Sequence, residues 1–116
     1  MTTLRGVDAR NFDDVAPERR GRIATRRVTG DGWGVTQVEF GVGARWQIDA
    51  GRLVGADWCD EPHRVVVLRG TLDIELRSGE RRTLRAGDVA EIPPGHDALT
   101  GGPYPCVFLE IDGFGG

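Results

Sequence analysis

The ten residues Gly70-Thr71-Leu72-Asp73-Ile74-Glu75-Leu76-Arg77-Ser78-Gly79 decide the fold. Leu72, Ile74 and Leu76 alternate with Asp73, Glu75 and Arg77, the period of a strand with one buried and one wet face. Gly70 suits a tight bend before it, and Ser78-Gly79 suits a hairpin turn after it. Outward from this strand, the chain from Arg22 on is a series of short β-rich runs between Gly, Asp and Pro: RIATRRV, WGVTQVEF, ARWQI, GRLVG, HRVVVLR, RTLR, DVAEI and CVFLEI. No stretch is long enough to expect a helix. Many short strands with regular turn signals predict a single all-β sandwich or barrel, whose closure hides its edges. The expected boundaries are a polar N-terminal arm at 1–20, the β-domain at 21–112 and a loose Gly-rich tail at 113–116.

Composition removes several classes of function. With 116 residues the chain encloses one core and one main site. Hydrophobic residues at 39% and charged residues at 28% are a globular balance. A net charge of -3 with interspersed signs provides no basic stripe for phosphates, so no nucleic-acid partner is expected. No apolar run reaches the roughly 18 residues of a membrane span and no secretion signal is evident, so no membrane partner and a cytoplasmic location are expected. All 15 basic residues are arginines, which leaves no lysine to form a Schiff base. The two cysteines read as thiols, with Cys106 in the apolar run CVFLEI as core.

From Gly51 the chain resembles the cupin superfamily, and most closely its small single-domain bacterial members with a Cys-x3-His and a PPGHDA segment. The family's first motif falls on Gly51, Asp57, Cys59, His63 and Gly70 with every interval kept. The second falls on Gly87, Pro93, Gly95, Ala98 and Gly102, after a short intermotif hairpin. The resemblance implies a jelly-roll β-barrel with a central pocket. It also implies a divalent metal there, although the ligand letters have changed at all four usual places, to Asp57, Cys59, His63 and Ala98. Cupins commonly pair through their sheets, so a homodimer is expected.

Three uses of these residues remain open. Asp57, Cys59 and His63 can ligate one divalent ion (zinc, iron, manganese or nickel) and leave a coordination position free, whereas Ala98 cannot ligate. Cys59 and His63 can instead form a metal-free nucleophilic or acid–base pair, with Asp57 orienting the histidine. A passive cavity lined by the same residues is the third. His96 is a candidate general acid or base paired with Asp97 at the pocket mouth. Equally, Asp97 can bind neighbouring amides as a turn device while the imidazole faces solvent. Trp46 is a candidate floor for a flat or hydrophobic ligand. Arg69 shares strand parity with His63, Val65 and Val67 and is a candidate clamp for an anionic group, and Arg64 should then point outward.

The leading expectation is a small-molecule enzyme acting on an organic acid, sugar derivative or secondary-metabolism intermediate, with Cys59, His63 and His96 as catalytic candidates and Trp46, Arg69 and Asp97 lining the pocket. Isomerase, lyase, cyclase and oxygenase chemistry all occur in the family. The rival is a metal-free cupin that binds a small effector without catalysis.

Overall fold

In a computed structural model, which describes residues 6–113, the chain forms two antiparallel sheets facing each other. The strands are β1 (Glu18–Arg20), β2 (Ile23–Gly30), β3 (Trp33–Phe40), β4 (His63–Arg69), β5 (Thr71–Leu76), β6 (Arg81–Arg85), β7 (Val89–Ile92), β8 (His96–Thr100) and β9 (Cys106–Asp112). Six of them order as β1-β2-β3-β9-β4-β7, and β6-β5-β8 form the smaller sheet. This is the expected all-β jelly roll. No described helix is long and apolar enough to cross a membrane.

Alternation carries the core. Leu72 and Ile74 of β5 turn inward and meet Val65 and Val67 of β4, Val38 and Phe40 of β3, and Phe108 of β9. The Phe40 and Phe108 rings lie 5.8 Å apart at a tilt, a favourable aromatic arrangement. Cys106 is fully buried in this core, as its setting in CVFLEI suggested. Gly70 takes φ +76° at the β4–β5 bend, and a side chain there would strike the backbone of Pro105 and Cys106, so only glycine fits.

Three elements differ from the sequence expectation. The runs ARWQI and GRLVG are not strands. Residues Gln47–Gly51 and Arg52–Val54 form a short helical segment. The buried carboxylate of Asp49 draws the chain into this turn by accepting from the amides of Arg45 (2.8 Å) and Arg22 (3.0 Å) and from the Arg22 guanidinium. Gly51 allows the Trp46 ring to lie against its Cα, where a β-carbon would collide. Secondly, His96 opens β8 rather than sitting in a turn. Thirdly, the stretch read as an arm ends in β1, which pairs with β2 in the register Glu18↔Thr25 and Arg20↔Ile23. Most of the tail read at 113–116 lies outside the described residues.

One ion pair ties the helical segment to the smaller sheet. Asp97, 1% exposed, accepts from Arg45 Nε (2.6 Å) and from the amides of Gln47 and Ala98 (2.9 Å each). Removing the carboxylate leaves two buried amides without their acceptor, whereas the partly exposed Arg45 guanidinium can turn to water. Asp97→Ala is therefore expected to lower stability in a denaturant titration by about 2 kcal/mol, the cost of leaving buried donors unsatisfied. A loss under about 0.5 kcal/mol, typical of an ordinary surface site, would contradict this role.

Candidate functional site

Two backbone hydrogen bonds create the site. The loop before β4 meets the start of β8 in an antiparallel bridge, Cys59 N–H to His96 O (2.8 Å) and His96 N–H to Cys59 O (3.2 Å). Residues that exchange both bonds project their side chains to the same side. Cys59 and His96 are thereby brought together from positions far apart in sequence. His63 opens β4 with the inward parity of Val65 and Val67 and completes the cluster. Arg64 points outward as expected and is exposed, 3.9 Å from Glu91.

The ligand-capable atoms of Cys59, His63 and His96 all lie within 4.8 Å of one another. Each imidazole is fixed by a partner on its Nδ1. His63 Nδ1 faces Glu110 Oε1 at 2.6 Å, and His96 Nδ1 donates to the carbonyl of Pro93 at 2.7 Å. An oxygen that only accepts requires the proton on Nδ1, which leaves Nε2 of each neutral ring bare. His63 Nε2 lies 3.5 Å from Cys59 Sγ, and the two rings meet edge to face with centroids 5.0 Å apart. A cysteine sulfur and two imidazole nitrogens, each imidazole braced from behind, are the donor set and the outer-shell arrangement that a divalent ion needs, with the ion taking the place of the proton shared by Cys59 and His63.

The cluster lies on the wall of a cavity of about 360 Å³ between the sheets. Its depth is apolar, with Phe40, Trp46 and Phe108 presenting rings and Val38, Ile74 and Ala98 filling between them. Glu18, Arg20 and Glu61 form part of its lining and are exposed, so they mark its mouth.

Of the remaining sequence candidates, three fall elsewhere. Asp57 is exposed, outside the cavity lining and the cluster, with its carbonyl taken by Gln47 Nε2. The residues before it form the helical segment instead of a strand, so two-residue parity does not place it beside Cys59. Arg69 faces away from the cavity because β4 is irregular between Val67 and Arg69, which reverses the parity that should have turned it inward. Asp97 serves the fold, not the cavity, whereas His96 beside it is 3% exposed and faces the site. Trp46 does line the cavity. Glu110 was missed, although its signal was present: in CVFLEI it shares the buried parity of Cys106 and Phe108, an unusual place for a carboxylate.

Electrostatics in the metal-free protein bind Cys59 and His63 into one unit. Burial alone raises the Cys59 thiol, but hydrogen bonds from His63, His96 and the Glu61 amide prevail and bring it down from 9.0 to about 6. Burial lowers His63, yet Cys59 and Glu110 outweigh it and raise the imidazole from 6.5 to about 9. Burial pushes Cys106 up to about 11. The depressed thiol contributes stability that is present above its unfolded value and is lost as pH falls through about 6. The raised imidazole contributes stability that is present below 6.5 and is lost as pH rises through about 9. Between pH 6.5 and 9 the two slopes are opposite in sign and cancel.

The consequence is a spectroscopic rather than a thermodynamic signature. In the metal-free native protein, ultraviolet thiolate absorbance is expected to rise with a midpoint near pH 6, and in the denatured chain near pH 9. The pair itself adds no slope to stability between pH 6.5 and 9. Thiolate appearing only near pH 9 in the native protein would refute the coupling.

No protein-family model and no curated protein matches the sequence. Solved structures do resemble the fold. A polyketide cyclase from Streptomyces resistomycificus superposes with TM-score 0.67 at 19% identity, covering 91% of this chain and 78% of that one. An RmlC-like cupin from Shewanella frigidimarina gives 0.63 at 15% identity, covering 91% and 89%. A sugar phosphate isomerase of the cupin superfamily from Silicibacter pomeroyi gives 0.62 at 20% identity, covering 90% and 74%. The chain therefore has the jelly-roll fold that these cupin structures share.

Proposed function

We propose that the chain is a small-molecule enzyme whose cavity holds one divalent metal through Cys59, His63 and His96. The observation that carries this reading is the convergence of three ligand-capable atoms within 4.8 Å on the wall of an apolar cavity. Thiolate and imidazole donors favour zinc or iron over manganese. The charges also balance: a dication, one thiolate and the Glu110 carboxylate behind His63 sum to zero. A metal so held supplies Lewis-acid polarisation of a substrate oxygen.

The chain's own residues do the remaining work. Glu110 fixes the His63 ring and its tautomer, and the Pro93 carbonyl does the same for His96. Phe40, Trp46 and Phe108 exclude water and suit a flat, largely apolar substrate. This lining favours a secondary-metabolism intermediate over a sugar derivative, and the likeness to a polyketide cyclase fold points the same way. Isomerisation, elimination and cyclisation share the proton transfers that such a site promotes. The cysteines, without a disulfide among the described residues, fit a reducing cytoplasm. Homodimer formation belongs to the same reading, supported by exposed Leu68 and Val89 on the neighbouring strands β4 and β7.

Elemental analysis of untagged protein never exposed to chelator tests the assignment. The expected result is near-stoichiometric zinc or iron that is absent from Cys59→Ser and His63→Ala and kept in Asp57→Ala. Glu110→Gln should retain the site with metal affinity reduced about 10- to 100-fold, the usual cost of an outer-shell partner. Metal-free wild-type protein, or metal retained by Cys59→Ser, would sink the metal reading. Chemistry would then fall to the Cys59–His63 thiolate–imidazolium pair.

A further inference from the structure

The space between the sheets does not end where the cavity ends. A second cleft of about 310 Å³ opens at the free edge between β6 and β7. It and the cavity share two lining residues, Ile74 of β5 and Ile92 of β7. Both are 6% exposed, so they fill the space between the two voids. On the cavity side lie Leu72 and Val65. On the cleft side lie Leu76 and Leu84, and beyond them the lining turns polar with Glu80, Arg82, Asp88 and Glu91. β1 edges the cavity and β7 the cleft, and these strands are the two ends of the six-stranded sheet. The intersheet space is thus one slot, interrupted by two aliphatic side chains.

The interruption stands beside the chemistry. Ile92 is the cross-strand partner of His63, and Ile74 is paired with Ala98, two residues along β8 from His96. We propose that Ile74 and Ile92 form the wall that sets how far a ligand can extend past the His63–Cys59–His96 cluster, an inference that rests on the small-molecule reading above. Apolar chain that reaches the wall has no further room, and chain that passed it would enter a cleft lined by Glu80, Arg82, Asp88 and Glu91. The wall thereby selects by length, through sterics, and independently of which metal is bound.

A graded series of straight-chain alkyl carboxylates tests this with the purified protein, binding being read from the fluorescence of Trp46 in the cavity and corrected with Trp46→Phe. In the wild type, affinity should rise roughly four-fold per methylene, the hydrophobic increment, until the cavity is filled and then level off. In Ile92→Ala and Ile74→Ala the levelling point should move to chains about three carbons longer, matching the atoms removed. Ile92→Val, which perturbs folding less, should move it by about one carbon. Leu84→Ala, which lines only the cleft, controls for general loosening and should leave it unchanged. An unmoved levelling point in folded Ile92→Val and Ile74→Ala overturns the wall while leaving the cavity as a binding site. No binding at any length by folded wild-type protein overturns the small-molecule reading and the wall together.

Discussion

The backbone bridge between Cys59 and His96 is the constraint on which the site depends. Neither residue owes its place to a long strand of its own: Cys59 sits in a loop, and His96 is the first residue of β8. Their mutual hydrogen bonds replace that missing regularity and hold the loop at a fixed depth in the barrel. Gly95 adds a third bond, from its amide to the Cys59 carbonyl at 2.8 Å. With the loop pinned, the turn through Pro93 and Pro94 can serve a second purpose and present a carbonyl to His96 Nδ1.

Burial then forces the chemistry. A polar side chain inside an apolar barrel must have a partner, and no buried side-chain nitrogen or oxygen among the described residues lacks one. Meeting that demand on the outer nitrogen of each histidine determines which nitrogen faces the cavity. A requirement of folding and a requirement of metal binding are satisfied by the same two contacts. The division of labour between neighbours follows from strand parity: Asp97 turns to the helical segment and secures it, while His96 turns to the cavity. Ile74 and Ile92 extend the same logic, since core residues at the cavity end are also its boundary.

Much of the fold was legible because alternation reports burial directly. TLDIEL, HRVVVLR and WGVTQVEF all became strands at or near their expected bounds, since a two-sheet sandwich needs one apolar face per strand. The helical segment was not legible, because its cause is Asp49 reaching the amides of Arg45 and Arg22, and the Arg22 bond crosses 27 positions of sequence. For the site, Cys59 and His63 could be named from motif spacing, and the structure brings them together. Asp57 could not be judged by spacing, because spacing specifies a neighbour only when the intervening backbone is regular. Arg69 was misplaced by one irregularity in β4, which turns every later side chain to the other face. Glu110 shows the converse, a residue on a well-read strand whose charge on the inner face marked it as a partner for something buried.

Whether Cys59, His63 and His96 hold one metal together is read from the electronic absorption spectrum of the cobalt(II)-substituted protein. One cobalt per chain is expected, with thiolate-to-metal charge transfer that disappears in Cys59→Ser, and ligand-field bands that change in His96→Ala and persist in Asp57→Ala. Cobalt bound without thiolate charge transfer, or a spectrum altered by Asp57→Ala and indifferent to His96→Ala, would contradict such a site.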